Sequence, residues 1–177
     1  ELMRLRSDAS PMSFEEVERV LKEAYGCPWN KIFKSIDTKP LGSASIAQVH
    51  KAVLKNGEQV VVKVQRPGIY QMMARDIRLL HRAVHLLPPV SLKDLVDLNL
   101  VLDEFWNVAV EEMNFLTEAS NLEEFGRRNK EVLYAGVPKM YHEYTNHFVL
   151  VMEYIDGYSI DDKEALLQNG YDLEEIG

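Results

Sequence analysis

The sequence predicts an α+β fold, a small antiparallel sheet with several helices added around it. Two observations give the sheet. Ser45 to Leu54 and Gln59 to Gln65 are β-branched, apolar-rich runs flanking Lys55-Asn56-Gly57-Glu58, and the Asn-Gly pair supplies the positive φ values that a tight hairpin turn needs. Lys139 to Tyr144 and Phe148 to Ile155 are two more strand-like runs, joined by Thr145-Asn146-His147, so a second antiparallel pair is expected. The third observation is that the stretches before, between and after these runs carry apolar residues at helical spacing.

In chain order, Glu1 to Pro11 reads as a short helical start followed by a breaker. Ser13-Phe14-Glu15-Glu16 is a capping-box pattern, in which the serine hydroxyl and the glutamate carboxylate each satisfy an orphan N–H at a helix start. Phe14, Val17, Val20, Leu21 and Ala24 follow in helical register until Gly26 and Pro28. Trp29, Ile32, Phe33 and Ile36 continue a shorter apolar stripe that Lys39-Pro40 breaks, completing an N-terminal helical extension over 1–38. These aromatics are read as core.

After the hairpin, Pro67-Gly68 turns the chain and Ile69 to Leu87 reads as a helix, with Ile69, Met72, Met73, Ile77, Leu80, Val84 and Leu87 in register. His81 and His85 stand four apart on it, but no HExxH pattern or third ligand accompanies them, which argues against a metal. Pro88-Pro89 closes that helix, and Ser91-Leu92-Lys93-Asp94 reads as the capping box of the next. Its apolar face runs through Leu95, Leu98, Leu102, Phe105, Ala109 and Met113. Asn114, Glu118 and Asn121 then fall at i, i+4 and i+7, which puts three polar groups on one helix face. After the second strand pair, Ser159 to Gly170 reads as a short helix with Asp161, Asp162 and Glu164 at its positive end, where acids serve the helix itself.

Composition narrows the class. In 177 residues, 46% are hydrophobic, enough for a core, and the net charge of −8 argues against a nucleic-acid surface, which needs clustered Lys and Arg. The single cysteine, Cys27, excludes an intramolecular disulfide and a Cys-based zinc cluster, and predicts a reducing cytoplasmic setting. No run of about 18 apolar residues is present to read as a membrane span.

Chemistry concentrates around the first hairpin. Gly42-Ser43-Ala44-Ser45 is a run of small residues that lets backbone N–H groups approach a ligand closely, as in phosphate-cradling loops. Val60-Val61-Val62-Lys63-Val64 carries one charge, Lys63, either on the solvent face of the strand or aimed into a site. Glu118 is its candidate partner, because a buried ammonium without a counter-charge is costly. A solvated helix face accounts for Glu118 equally well. The order of small-residue loop, strand lysine, helix glutamate, further strands and acidic-apolar link is also the order of parts in a kinase N-lobe.

The wording is more specific than the order, and from about Ser13 to Gly157 it resembles the UbiB/ADCK family of atypical, protein-kinase-like proteins. Pro40-Leu41-Gly42-Ser43-Ala44-Ser45-Ile46-Ala47-Gln48-Val49-His50 looks like that family's alanine-rich loop, and Val61-Val62-Lys63-Val64-Gln65-Arg66-Pro67-Gly68-Ile69 like its strand-lysine motif. Glu112-Met113-Asn114-Phe115 with Glu118, Ala119 and Asn121 resembles its ExD segment and lysine-pairing glutamate, and Val149 to Gly157 its hinge. The fold so implied is a protein-kinase-like N-lobe over 39–157, with 158–177 beginning the connection to a C-lobe.

The resemblance implies ATP as the nucleotide, with Lys63 on its phosphates, Glu118 as the ion-pair partner, Gly42 to Ser45 over the triphosphate and the backbone of Glu153, Tyr154 and Ile155 at adenine. It places the family's KxGQ motif ahead of Glu1, and the catalytic loop and Mg²⁺ ligands after Gly177, so no catalytic base or metal ligand is assigned within these residues. Two positions depart from the family pattern. Asn114 stands where the ExD motif has aspartate, and Gly42 replaces an alanine of the loop. The implied activity is ATP hydrolysis or phosphoryl transfer linked to isoprenoid-quinone or other lipid metabolism, with the C-lobe and a lipid-pathway component as partners and peripheral membrane contact suggested by family alone. Two alternatives stand beside it: a pseudokinase-like module that binds nucleotide without turnover, and a structural interaction domain in which Lys63 is a surface residue.

Overall fold

The structure is a computed structural model that describes residues 10–86, 97–132, 134–160 and 162–173. Five strands, β1 (Phe33–Ile36), β2 (Gly42–Ser43), β3 (Ala47–Leu54), β4 (Gln59–Gln65) and β5 (Val149–Glu153), form one antiparallel sheet in the order β1-β3-β4-β5, with β2 pairing β3. The helices are α1 (Phe14–Tyr25), α2 (Ile69–Leu86), α3 (Leu98–Glu112), α4 (Phe115–Arg128) and α5 (Lys163–Gln168).

Strand periodicity decides what each face of the sheet carries. On β4, Val60, Val62 and Val64 point into a core built with Val17, Val20 and Leu21 of α1, Phe33 and Ile36 of β1, and Val149 and Val151 of β5. The alternate residues of β4, Val61, Lys63 and Gln65, therefore face the other way. There Phe115 and Ala119 of α4 pack with Ala47 and Leu150. A third cluster, Ile69, Ala109 and Met113, joins α2 to the end of α3, with the Tyr70 and Trp106 rings 5.2 Å apart.

The capping box at Ser13 is present. Ser13 Oγ accepts from the Glu16 N–H at 3.3 Å, the Glu16 carboxylate accepts from the Ser13 N–H at 3.0 Å, and Gly26 ends the helix at φ 66°. The first hairpin is present too, with Gly57 at φ 95°.

Three readings need correction, and a fourth lies outside the described residues. The stripe from Trp29 to Ile36 is not one helix: Trp29–Lys31 is a single 3-10 turn and Phe33–Ile36 is β1, because pairing with Ala52 and Leu54 satisfies its backbone while Phe33 and Ile36 enter the core. Lys139 to Tyr144 is not a strand. It meets one edge of β5 antiparallel at a Met140–Met152 bridge, with the Tyr141 N–H donating to the Val151 carbonyl at 3.0 Å, and then turns as a 3-10 helix, His142–Tyr144, while β4 pairs with the other edge of β5. Within the described residues, α3 opens at Asp97, whose carboxylate accepts from the Asn99 and Leu100 N–H groups at 3.0 and 3.3 Å; the capping box read at Ser91 to Asp94 lies outside them, as do Leu87, Leu95 and all of 1–9. The last helix is shorter than expected, Lys163–Gln168, capped by Asp162, and Asp161 lies outside the described residues.

Candidate functional site

Because Lys63 sits between Val62 and Val64, it shares the α4 face of the sheet, opposite Val49 on β3 and Leu150 on β5. Its ammonium meets both oxygens of the Glu118 carboxylate, at 2.9 and 2.7 Å, and lies 5.0 Å from the centre of the Phe115 ring. The two side chains are 21% and 30% exposed, so the pair is shielded from one side and open to solvent on the other. An ammonium held this way has three donors, and the solvent-facing side leaves one direction free to meet an anion.

The break between α3 and α4 brings Glu118 to Lys63. Asn114 caps α4: its Oδ1 accepts from the Leu116 N–H at 3.1 Å and from His147 Nδ1–H at 3.0 Å. Gln65, on the same face of β4 as Lys63, donates from Nε2 to the Met113 carbonyl at 2.6 Å, satisfying backbone left over where the chain leaves α3. Glu118 consequently lies in the first turn of α4, where the helix dipole favours a carboxylate. Asn114, read as part of one helix face with Glu118 and Asn121, instead stands outside the helix as its cap. Asn121 and Glu118 both line a groove of about 410 Å³ between α3 and α4, rimmed by Val108, Leu122 and Phe125.

The small-residue loop lies at one end of β4 and the acidic-apolar link at the other. Gly42 and Ser43 pair with Val49 and Gln48, and the Ala44 N–H donates to the Ala47 carbonyl at 2.8 Å. Among the described residues, the N–H groups of Ser45 and Ile46 have no protein acceptor, and Ser45 is exposed. At the far end, Glu153 pairs with Val60. The Glu153 N–H donates to the Lys139 carbonyl at 2.9 Å and the Tyr154 N–H to the Gln59 carbonyl at 3.2 Å, whereas Ile155, 61% exposed, has no acceptor for its N–H among the described residues. The Tyr154 ring is covered by Lys51 Nζ, 3.7 Å from its centre.

Three residues beside the site carry no role in the sequence reading. Gln48 and His50 are fully buried on the α1 face of β3. Gln48 Oε1 accepts from the Met12 N–H at 2.7 Å, while its Nε2 donates to the Met12 carbonyl at 3.2 Å and to His50 Nε2 at 2.9 Å. His50 must then donate from Nδ1 to the Asp37 carbonyl, 2.7 Å away, and burial pushes its pKa below the usual imidazole value. A signal for this pair was available: both share the strand parity of Ala52 and Leu54, so they are polar residues on a core face. Arg66 is the third, and it binds the small-residue loop.

Comparison with known proteins places the chain in a family. A family model described as the ABC1 atypical kinase-like domain matches residues 4–177. The chain is 37% identical to a probable protein kinase UbiB of Cellvibrio japonicus, over 99% of its own length and 32% of that protein. It is 34% identical to AarF domain-containing protein kinase 1 of Gallus gallus, over 97% of this chain and 33% of that one. A solved structure, the Rv3197–erythromycin complex from Mycobacterium tuberculosis, superposes with a TM-score of 0.73 at 29% identity, covering 98% of this chain and 42% of that one. The chain thus spans about a third of the length of these curated relatives. The mixed sheet-and-helix architecture is that of a kinase-like N-lobe, and the chain belongs to the ABC1 atypical kinase-like family, which includes proteins named UbiB and AarF domain-containing kinase.

Proposed function

We propose that this chain is the ATP-binding lobe of a kinase-like ATPase or phosphotransferase. The observation that carries the reading is the two-oxygen contact between Lys63 and Glu118 on a half-open face of the sheet. A lysine fixed by a carboxylate is a rigid positive charge, suited to phosphate oxygens and to charge that develops during phosphoryl transfer. ATP supplies the transferable phosphoryl group. The Ser45 and Ile46 N–H groups are the loop donors available to phosphate, and the Ile155 N–H is the donor of the 153–155 segment available to adenine. Within that segment, the N–H groups of Glu153 and Tyr154 are already used by the sheet edge, which narrows the expected N–H donor to adenine to Ile155.

The metal ligands and general base belong to the rest of the polypeptide in this reading, as does the C-lobe that would close the cleft. The link to isoprenoid-quinone or other lipid metabolism, and any peripheral contact with a membrane, rest on family resemblance; among the described residues no helix is long and apolar enough to cross a membrane. The test is calorimetry of Mg²⁺-ATP binding to the full-length protein, wild type beside Lys63→Ala. Binding in the wild type that weakens at least about tenfold in the variant is expected, a loss of roughly 1.4 kcal/mol. Absence of binding by a folded wild-type protein overturns the reading. Phosphate release by the same protein separates an enzyme from a module that binds nucleotide without turnover.

A further inference from the structure

Arg66 follows the last residue of β4 and joins three separate pieces of chain. Its Nε donates to the Ala44 carbonyl at 2.8 Å, and its Nη2 donates to Ser43 Oγ at 2.7 Å and to the Ser10 carbonyl at 2.9 Å. Its own N–H donates to the Ile46 carbonyl at 2.9 Å. Ser43 is held from a second side as well, since its hydroxyl donates to Gln48 Oε1 at 3.3 Å, and Gln48 is itself anchored on Met12. Every one of these contacts lands on the loop or on the segment that crosses behind it.

A run of Gly-Ser-Ala-Ser has little side chain with which to fix its own shape, and a loose loop must lose conformational entropy when it closes on a ligand. A planar guanidinium with several fixed donors is suited to hold such a loop from outside, which the single ammonium of lysine cannot do in the same geometry. The Ala44 carbonyl and the Ser43 hydroxyl turn toward the Arg66 side chain, and the N–H groups of Ser45 and Ile46 are left without protein acceptors among the described residues. The geometry points to Arg66 as a positioning residue: it holds the loop in one preformed shape so that these N–H groups face the phosphates of a bound nucleotide. This rests on the nucleotide-binding reading given above and adds to it a residue that acts through the loop rather than on the ligand.

The test uses the full-length protein as wild type, Arg66→Gln and Ser43→Ala. Hydrogen exchange of residues 42–46 without nucleotide, and calorimetric affinities for Mg²⁺-ATP and for adenosine, are measured on each. Arg66→Gln is expected to speed exchange in the loop and to weaken ATP binding on the order of tenfold, the size of one or two ordering penalties, with adenosine affinity unchanged. Ser43→Ala, which removes one acceptor of the clamp together with the hydroxyl's contact to Gln48 and leaves the Arg66 bond to the Ala44 carbonyl in place, should shift the same two readouts in the same direction by less. Equal loss of ATP and adenosine affinity in Arg66→Gln would make Arg66 a general stabiliser, and unchanged exchange and affinities would make it a bystander; either overturns the inference while the nucleotide reading stands. A folded wild type that binds neither ligand overturns both.

Discussion

Lys63 Nζ lies 2.9 and 2.7 Å from the two carboxylate oxygens of Glu118, a residue 55 positions further along the chain. The contact ties the middle strand of the sheet to the first turn of α4, so it is both a feature of the site and a clasp between two elements. A purely surface lysine on β4 is incompatible with it.

Removing one member separates these roles. Glu118→Ala leaves a half-shielded ammonium over the Phe115 ring without its counter-charge. For a pair between the exposed and buried regimes the expected loss is about 1–2 kcal/mol, measured by urea unfolding. Glu118→Gln keeps the shape and a hydrogen-bond acceptor and should cost less. Equal stability of wild type and Glu118→Ala would show that the pair holds nothing together.

Asn114, read from the sequence as standing where the resembled ExD segment has aspartate, caps α4 with its side chain. Asparagine and aspartate serve equally well as N-caps, so Asn114→Asp should leave unfolding free energy within about 0.5 kcal/mol, whereas Asn114→Ala should lower it by about 1 kcal/mol. A large loss in Asn114→Asp would mean that the amide has a role beyond the cap and the His147 contact.

His50 gives a pH dependence with a definite sign. Burial holds its folded pKa below the ordinary imidazole value of 6.5, so below that pH the unfolded chain binds more protons than the folded one. Its contribution is fully present above pH 6.5 and is lost as the pH falls from there through the lowered folded pKa. Chemical denaturation between pH 7.5 and 5, as about one-unit steps, should show stability falling on acidification, and His50→Gln should flatten that slope. An identical slope in the variant would assign it to other groups.

Gly126 is needed for space. A Cβ built at this position would come 2.5 Å from Cγ2 of Val137, so α4 can approach the segment leading into β5 only without a side chain there. Gly126→Ala is expected to destabilise by about 1–3 kcal/mol, the usual cost of overpacking, and Val137→Ala in the same chain should recover part of it. Recovery is the informative outcome, because Ala at an exposed helical site would by itself be favourable.

Local rules were enough for much of this. The first hairpin, the capping box at Ser13 and the helix from Ile69 could be read from the residues, since turn chemistry, caps and short periodicities act over a few positions, whereas Glu118 is a candidate partner there only if Lys63 points inward. The family wording around Lys63 and Glu118 carried the fold. What local rules could not decide was the fate of segments whose hydrogen bonds are made far away. Phe33 to Ile36 became a strand because β3 offered an edge, and Lys139 to Tyr144 gave only a short bridge on the free edge of β5 because the chain turns as a 3-10 helix from His142. One helix ended and Asn114 capped the next where Gln65 takes the Met113 carbonyl and His147 meets the Asn114 side chain. The Arg66 clamp joins Ser10, the 43–46 loop and the end of β4, pieces up to 56 positions apart. The sequence by itself determined which groups were present and which short elements they favour; only the tertiary structure decided which backbone and charged groups satisfy one another across the chain, because each buried donor or charge needs a partner and the nearest one in space is seldom the nearest in sequence.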